Sequence, residues 1–408
     1  MSDRKKIVYI IFSNNIGSGA GGHYYSLKVI SNSLKFDNDI SIINIGFFFS
    51  KILKNQPLKT YFIKHQNIIK SCVILKRLIE ELKPDIIHTF DLASLTLLKI
   101  IMRRQKRKYI HTLCGGPNPN YYLFTPNIIL FSQENYIFFK RYNKFSDSNL
   151  FLIPNRVLPI KPDFKRINIL LSELKFKSPI FLRICRISKA YIKSLIQSIN
   201  LVQHIRKKGI EAFLLIIGSP DDKDVLKFIK KYENNYIKIF TQEKYTLNAS
   251  QLIEAADFVI GTGRSFMEGS YFSKVMFAPQ RNQSIPLLID KETFKTAFKV
   301  NFSERTLYES YNEKGSFNKV MQCINNKNLY KELASFIKYK SKKHFEILSK
   351  KDRYNEIYNN LEPDYLNPKI ISLLRESQKI IKILYNYNIL SIFKNFFYKI
   401  LKTFSRHN

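Results

Sequence analysis

Short apolar runs and amphipathic stretches alternate along the first part of the chain. Compact runs of aliphatic residues bounded by turn residues predict strands, and apolar residues spaced three and four apart predict helices. Strands are expected at residues 6–13, 40–45, 86–89, 109–113, 128–131 and 150–153. Helices are expected between them at residues 22–34, 68–82, 93–104 and 134–142. This alternation is typical of β-α units around a mostly parallel sheet, and it predicts an α/β domain over residues 1–155.

A second alternation follows a stretch without a clear period. Residues 156–177 are expected to form a hinge, because Pro159 and Pro162 lie among charged residues there. Beyond it, strands are expected at residues 179–184, 213–217, 237–240, 258–261 and 286–288, with helices at 192–207, 223–232 and 249–256. The pattern predicts a second domain over residues 178–330, and hence two tandem Rossmann-like domains facing across a cleft.

The last part of the chain, residues 331–408, is expected to be helical and basic. From Lys369 onward it contains eight basic residues and one acidic residue, Glu376. This combination suits a helix on an anionic membrane surface, although a helix that packs on its own domain or on a second subunit gives the same pattern. The apolar residues at helical spacing are Ile389, Ile392, Phe393, Phe396, Phe397, Ile400, Leu401 and Phe404.

Composition adds a strong positive charge to this picture. The 408 residues include 67 Lys and Arg against 32 Asp and Glu, a formal net charge of +35. With 45% hydrophobic and 14% aromatic residues the chain cannot be a disordered basic tail. The charge fits nucleic acid, anionic lipid, polyanionic substrates or phosphate ligands, and a lysine-rich proteome bias explains part of it.

Cysteine spacing and hydropathy exclude several other classes. Cys72, Cys114, Cys185 and Cys323 lie far apart, so neither a zinc cluster nor a disulfide framework is expected, and a reducing cytoplasm is the expected setting. Gly, Asn and Pro interrupt the longest uncharged stretches, residues 7–26 and 109–133, so we expect no transmembrane helix. The initial apolar run is too short for a signal peptide.

A glycine-rich loop follows the first predicted strand. Gly17, Gly19 and Gly22 match the dinucleotide pattern, and the helix N-terminus after them can present N–H groups to an anion. A nicotinamide site should also have an acidic residue at the end of the second strand, but Asp37 and Asp39 precede that strand. The candidate donor contacts are therefore Gly19, Gly21 and Gly22, unless the glycines only permit a tight turn. His23 is a candidate acceptor contact or a polar first-turn residue.

A cluster of cations follows the first strand of the second domain. Arg183 and Arg186 end the strand, and Lys189 and Lys193 occupy the next loop and first helical turn. Four cations converging at a helix N-terminus predict a pyrophosphate site.

The order of motifs after this cluster resembles a known family. Ala255-Ala256-Asp257 precedes a strand, and Gly263, Arg264, Ser265 and Glu268 follow it. The series resembles the C-terminal domain of retaining nucleotide-sugar glycosyltransferases with the GT-B fold, which include bacterial polysaccharide, teichuronic-acid and capsule glycosyltransferases. Weaker N-terminal matches are residues 83–88, 111–116 and 153–157.

The resemblance assigns roles to individual residues. It implies that Arg186 and Lys193 bind the donor diphosphate, with Arg183 and Lys189 as close alternatives. Gly263, Arg264 and Ser265 would line the diphosphate or sugar, and Glu268 would accept hydrogen bonds from the nucleotide ribose. Arg186, Lys193 and Glu268 are the expected catalytic set.

Two positions depart from the family pattern. Ile260 stands where the family usually has a first loop glutamate, and Cys114 stands where it has a histidine before the central glycine. His111 lies three residues earlier. Cys114, His111 and Gly115 remain candidate sugar or acceptor contacts, but these departures affect the expected sugar and activity.

The resemblance implies transfer of a sugar from a nucleotide diphosphate donor to an acceptor hydroxyl, with retention and without metal or cofactor. The expected acceptor is a saccharide or a lipid-linked sugar in polysaccharide or glycolipid synthesis, at the inner face of the membrane. Asp221-Asp222 predicts a helix cap rather than a metal site. The alternatives are a catalytically silent GT-B scaffold that binds nucleotide, and a basic nucleic-acid-binding protein.

Overall fold

The computed structural model describes residues 4–13, 21–54, 56–102, 105–154, 157–174, 179–310 and 312–365. The chain divides into two compact units. The first comprises Met1–Leu130, Tyr136–Phe151 and the segment that begins at Lys351, and the second comprises Phe131–Asn135 and Leu152–Lys350. Residues 331–350 therefore belong to the second unit, and the chain beyond them returns to the first.

A parallel sheet with helices forms the first unit. Its strands are β1 (Lys6–Ser13), β2 (Asp39–Gly46), β3 (Lys59–Lys64), β4 (Ile86–Thr89), β5 (Lys106–Leu113), β6 (Asn127–Leu130) and β7 (Asn149–Leu152). Its helices are α1 (Gly22–Leu34), α2 (Lys51–Lys54), α3 (Ile68–Leu82), α4 (Leu92–Ile101) and α5 (Gln133–Arg141), followed by a 3₁₀ turn at Asn143–Phe145. The strand order is β3-β2-β1-β4-β5-β6-β7.

The second unit repeats this plan. Its strands are β8 (Ile180–Ile184), β9 (Phe213–Ile217), β10 (Ile237–Phe240), β11 (Phe258–Ile260), β12 (Val275–Ala278) and β13 (Leu287–Leu288). Its helices are α6 (Phe164–Leu174), α7 (Ile192–Lys207), α8 (Lys223–Lys230), α9 (Glu243–Thr246), α10 (Arg264–Tyr271), α11 (Phe294–Lys299), α12 (Glu313–Asn325) and α13 (Lys327–His344). The order is β10-β9-β8-β11-β12-β13, with β13 antiparallel to β12.

The structure confirms the α/β class and most of the predicted elements. It adds the unpredicted short helices α2, α9, α10 and α11, and it corrects three further details. It adds edge strand β3 and strand β12, which the hydrophobic pattern did not indicate. It places helix α6 within the expected hinge, because Ile167 and Leu170 are three apart and both lie in the core of the second unit. It also makes the expected helix at 249–256 a 3₁₀ helix, Ala249–Ala255.

The returning segment forms helix α14 (Lys351–Asn359) and strand β14 (Asp364–Tyr365), which pairs with β5. The hydroxyl of Tyr358 on α14 lies 2.8 Å from the hydroxyl of Tyr9 and 2.8 Å from Nδ1 of His88. Nε2 of His88 lies 2.7 Å from the hydroxyl of Thr112. These buried hydrogen bonds attach α14 to the first sheet.

The basic segment from Lys369 lies outside the described residues. Within them, no helix combines the length and apolarity that a bilayer crossing requires.

Candidate functional site

The centre of the second sheet has the topology of a ligand site. Strands β8 and β11 are parallel neighbours, and the chain continues from β8 to β9 on one side and from β11 to β12 on the other. In open α/β sheets, ligands bind at the carboxyl ends of the strands where the strand order reverses in this way. The β8–α7 and β11–α10 connections lie at this switch point.

Arg183 lies beneath the switch point and is fully buried. Its Nη1 donates to the carbonyl of Ile260 at 3.1 Å, and its Nη2 donates to the hydroxyl of Ser194 at 2.8 Å. Both nitrogens also lie 3.3 to 3.4 Å from the hydroxyl of Thr262. Arg183 therefore ties β8, α7 and the β11–α10 connection together. It does not reach a surface ligand as expected, because it still lies within the covered strand, where Arg183 pairs with Ile260 and Ile216.

The charge of Arg183 has only neutral hydrogen-bond partners within the described residues. Its Nε has no hydrogen-bond partner among them either. Buried charges are usually compensated by an opposite charge. An anion near the loops that Arg183 supports is therefore favoured, and the carboxylate of Glu304 takes part of that place, since it accepts from the N–H of Ser194.

Arg186 and Lys189 are the accessible cations of the β8–α7 connection. The side chain of Arg186 is 47% exposed, and its Nη1 lies 3.6 Å from Oδ2 of Asp221. Its guanidinium lies 5.5 Å from the ring centroid of Tyr191. Asp221 and Tyr191 thus limit the orientations of Arg186 without covering it. Lys189 is exposed in the 3₁₀ turn Lys189–Tyr191 that precedes α7.

The first turn of α7 already interacts with a carboxylate. The N–H of Ser194, the third residue of α7, donates to Oε1 of Glu304 at 3.2 Å. The first N–H groups of a helix have no acceptor within the helix, and they favour negative charge. The carboxylate of Glu304 therefore lies where an anionic ligand would bind the N-terminus of α7.

Lys193 does not converge with the other three cations. Its Nζ donates to Oδ1 of Asn282 at 3.2 Å. Lys193 also lines a surface groove of about 320 Å³. The other lining residues are Ile192, Ile196, Gln197, Asn200, Phe228, Gln283 and Ser284. None of the other predicted site residues lines this groove. Of the four expected cations, Arg183 is therefore buried, Arg186 and Lys189 are accessible, and Lys193 lies at the groove beside α7 and α8.

The β11–α10 connection is tightly built. A Cβ at Gly261 would lie 2.4 Å from Cα of Phe266, so only glycine allows α10 to approach the strand end. Gly263 has φ of +49°. The N–H groups of Thr262 and Gly263 donate to the hydroxyl of Ser265 and the carbonyl of Asn301. The N–H groups of Gly261 and Ser265 also donate within the protein. A sugar or phosphate at this loop would therefore have to replace existing acceptors of these N–H groups.

Glu268 lies on the first turns of α10, beneath the same switch point. Its Oε1 accepts a hydrogen bond from Nε of Arg264 at 2.7 Å, and both side chains are largely buried. Burial raises the pKa of Glu268, and Arg264 partly offsets the effect. The carboxylate is thereby held in one orientation, with Arg264 as its partner.

In the first unit, two of the three candidate loop glycines are described. Gly21 is the N-cap of α1 and Gly22 its first residue, whereas Gly19 lies outside the described residues. The ring of His23 lies against that of Tyr24, with centroids 4.1 Å apart and the planes tilted by 38°. The start of α1 therefore lies after β1, as predicted.

The loop after β5 contains Cys114 and Gly115. Gly115 has φ of +84°, a conformation that favours glycine. Sγ of Cys114 lies 4.0 Å from the carbonyl oxygen of Phe90, and burial raises the pKa of its thiol. The nearby carboxylate of Asp91 accepts hydrogen bonds from the N–H groups of Phe12 and Ser94 and so joins the end of β1 to the first turn of α4. The Cys114 thiol stays protonated.

His111 is a core residue rather than an open acceptor contact. It is fully buried on β5, its Nδ1 lies 2.7 Å from the hydroxyl of Thr89, and its Nε2 contacts the hydroxyl of Tyr122. Burial, aided by Lys99, lowers the pKa of His111 from its ordinary value of 6.5 to about 3. Both ring nitrogens of His111 are thus engaged within the protein, and the side chain is not exposed for contact with an acceptor.

The lowered pKa of His111 predicts acid sensitivity. Because the folded pKa is about 3 and the ordinary value 6.5, the unfolded state binds more protons between these values. Stability is therefore present above about pH 6.5 and is lost as the pH falls, by about 1.4 kcal/mol per pH unit for this site. Denaturant unfolding at about pH 7 and about pH 5 measures it. The control His111→Gln should show a shallower pH dependence, and equal slopes for the two proteins would refute the assignment.

Several contacts had no sequence signal. Glu304 and Asn301 lie in a connection without a recognisable motif, and Thr262 was not singled out within its loop; only the fold brings the three together. Asp222 accepts from the N–H groups of Asp224 and Val225, which confirms the predicted cap of α8. Among the described residues, no group of three His, Cys, Asp or Glu side chains is placed to hold a metal ion.

Solved structures of several proteins are similar to this architecture over most of the chain. HepE of Anabaena, solved with UDP-glucose, is 15% identical with a TM-score of 0.66, covering 88% of this chain and all (100%) of HepE. A glycosyltransferase from Rickettsia africae is 17% identical with a TM-score of 0.63, covering 87% of this chain and 98% of its own. UDP-GlcNAc 2-epimerase of Methanocaldococcus jannaschii is 13% identical with a TM-score of 0.53, covering 87% and 100%.

These likenesses define the class: the chain has the GT-B fold, as the sequence predicted. No protein-family model and no curated protein sequence matches the chain.

Proposed function

We propose that the chain is a glycosyltransferase that transfers a sugar from a nucleotide diphosphate donor to an acceptor hydroxyl. The observation that carries this proposal is the positive switch point of the second unit. There, buried Arg183, accessible Arg186 and Lys189 and the N-terminus of α7 meet at the end of β8. HepE, which shares the fold, was solved with UDP, and also with UDP-glucose.

The proposed donor contacts follow from the accessible groups. Arg186 binds the diphosphate, since a guanidinium makes paired hydrogen bonds to phosphate oxygens. Lys189 adds a second charge from the adjacent turn. Glu268 accepts hydrogen bonds from the ribose hydroxyls, and Arg264 holds its carboxylate in place. Arg183 acts as a positioning residue for both connections.

The reaction needs stabilisation of the leaving group above all. When the bond between the sugar C1 and the diphosphate oxygen breaks, its electron pair leaves with the diphosphate, the acceptor hydroxyl oxygen bonds to C1, and the hydroxyl proton passes to the departing diphosphate. Fixed cations stabilise that charge best when they require no reorganisation during the step. Asp221 and Tyr191 provide such fixation for Arg186.

The finer parts of the proposal rest on the sequence resemblance. They are retention of configuration, independence of metal, a hexose as the transferred sugar, and a saccharide or lipid-linked acceptor at the inner membrane face. Polysaccharide or glycolipid synthesis is the proposed setting.

Glu304 would have to yield to the donor, because its carboxylate lies where the diphosphate is proposed to bind. Glu304→Gln should therefore tighten UDP binding about fivefold, since one nearby like charge costs about 1 kcal/mol in water-like surroundings. Calorimetric titration with UDP measures the change. The control Glu309→Gln alters an exposed carboxylate in the same connection and should leave affinity unchanged. Unchanged or weaker binding by Glu304→Gln would show that Glu304 does not compete.

The proposed function is tested by incubating the purified chain with a panel of sugar nucleotides and membrane-derived saccharide acceptors. We expect one donor to raise the melting temperature and to release its nucleoside diphosphate only when an acceptor is present. Conversion to an epimeric sugar nucleotide would indicate an epimerase, which shares the fold. Binding without turnover would indicate a silent scaffold. Stabilisation by random oligonucleotides but by no sugar nucleotide would overturn the proposal.

A further inference from the structure

The outward face of α3 in the first unit exposes large aliphatic side chains. Ile69, Val73 and Ile74 are 60%, 63% and 46% exposed. Ile69 and Val73 are four residues apart and therefore adjacent on the helix surface. The opposite face of the same helix buries Leu75 and Ile79 in the core of the unit. Packing of α3 on its own sheet therefore accounts for the apolar residues of its inner face, but not for the exposed aliphatic residues of its outer face.

The chain around this face is strongly basic. Between Asp39 and Glu80 there is no acidic residue. The same stretch contains seven cations, which are Lys51, Lys54, Lys59, Lys64, Lys70, Lys76 and Arg77. Of these, Lys70, Lys76 and Arg77 lie on α3 itself, beside the exposed aliphatic side chains.

The cations of α3 have acidic partners near its C-terminal end but not near its N-terminal end, within the described residues. Lys70 lies between the exposed aliphatic residues, on the same outer half of the helix. In the last turns, Lys76 and Arg77 pair with Glu80 and Glu81 at distances of 3.9 and 3.5 Å. Exposed pairs of this kind are weak and exchange readily with other partners. The N-terminal half of α3 therefore combines exposed aliphatic side chains with uncompensated positive charge.

We propose that the outer face of α3, defined as Ile69, Lys70, Val73, Ile74 and Arg77, docks on an anionic bilayer surface. A helix that lies in the interface inserts its aliphatic side chains at the acyl boundary, and its cations stay among the headgroups. The exposed residues of α3 have this composition. The surface belongs to the first unit and does not depend on the donor site.

Charge and chemistry argue against other occupants. A second copy of the chain docked through the same face would bring Lys70 and Arg77 against the same two cations of the first copy. A nucleic acid would satisfy the cations, but it recognises proteins through phosphate contacts and aromatic stacking, and the aliphatic side chains would stay in water. An anionic bilayer satisfies both features at once.

The test uses the full chain and sedimentation with vesicles of phosphatidylcholine, with and without phosphatidylglycerol. The wild-type protein should sediment with the anionic vesicles and far less with the neutral ones. The triple variant Ile69→Ser, Val73→Ser, Ile74→Ser should lower the partition coefficient at least about tenfold, since it removes the inserted aliphatic surface. Lys70→Gln should lower it about fivefold, the contribution of one cation near such a surface.

A matched control separates insertion from general hydrophobicity. Phe36→Ser replaces an apolar side chain in the same unit that is 76% exposed, and it should leave vesicle binding unchanged. The basic segment from Lys369 is a competing anchor, so Phe396→Ser with Phe397→Ser is tested in the full chain as well.

Four results would overturn the proposal. They are failure of the wild-type protein to bind anionic vesicles, equal binding by the triple variant, loss of binding only in the Phe396 and Phe397 variant, and a changed oligomeric state for the triple variant. The last result would mean that protein, not lipid, covers the face.

Discussion

Arg186→Ala is expected to lower the rate of sugar transfer about a hundred- to a thousandfold, the usual loss when one preorganised group that stabilises a developing anion is removed. Arg186 is half exposed and held by Asp221 at 3.6 Å, so its guanidinium is available to a diphosphate. The effect should appear in kcat as well as in donor affinity, because negative charge grows on the diphosphate as the bond breaks. Release of nucleoside diphosphate under saturating donor measures it.

Two further variants define what Arg186 contributes. Arg186→Lys keeps the charge but loses the paired geometry of the guanidinium, so an intermediate rate is expected. Asp221→Asn should lower the rate less than Arg186→Ala, since Asp221 acts only through Arg186. Wild-type rates in Arg186→Ala would remove this residue from the site.

Arg183→Met is expected to destabilise the second unit by about 2 to 4 kcal/mol, because three buried acceptors lose their donor at about 1 to 3 kcal/mol each, partly offset by removal of an unpaired buried charge. Those acceptors are the carbonyl of Ile260 and the hydroxyls of Ser194 and Thr262. Methionine has a similar length, so the loss of hydrogen bonds rather than a large cavity dominates. Denaturant unfolding followed by tyrosine fluorescence measures the change.

The comparison with Arg186→Met makes this prediction specific. That variant removes an exposed guanidinium from the same connection and should change the free energy of unfolding by less than about 1 kcal/mol. Arg183→Lys should remain destabilised, because an ammonium cannot reach all three acceptors at once. A stable Arg183→Met protein would show that the switch point does not need this cation.

Much of the fold follows from the hydrophobic pattern because the strands of a parallel sheet are covered on both faces. In β1 every residue from Ile7 to Ser13 is buried, so the strand stands out as a continuous apolar run. Edge strand β3 begins and ends with lysine and buries only Ile63, which makes its pattern indistinct. Helix α6 does not stand out in the sequence, because Pro159 and Pro162 just before it indicate a loop and its apolar spacing rests on Ile167 and Leu170.

The candidate site was predictable in position but not in side-chain direction. Four cations close in sequence indicated an anion site at the β8–α7 connection, and two of them, Arg186 and Lys189, are accessible there. Arg183 is instead within β8 and points into the packed protein, and Lys193 donates a hydrogen bond to Asn282 in the β12–β13 connection. Contacts between residues about a hundred positions apart, such as Ser194 with Glu304, depend on the folded sheet.

The central claim is that the connection after β8 binds a nucleoside diphosphate, and calorimetric titration of UDP into the wild-type protein, Arg186→Ala and Lys193→Ala tests it most directly. The account predicts saturable binding by the wild-type protein and at least about tenfold weaker binding by Arg186→Ala, which corresponds to about 1.4 kcal/mol. Lys193→Ala should bind nearly as the wild-type protein does, since its side chain is directed to Asn282. Absence of UDP binding, or equal affinity in the wild-type and Arg186→Ala proteins, would contradict it.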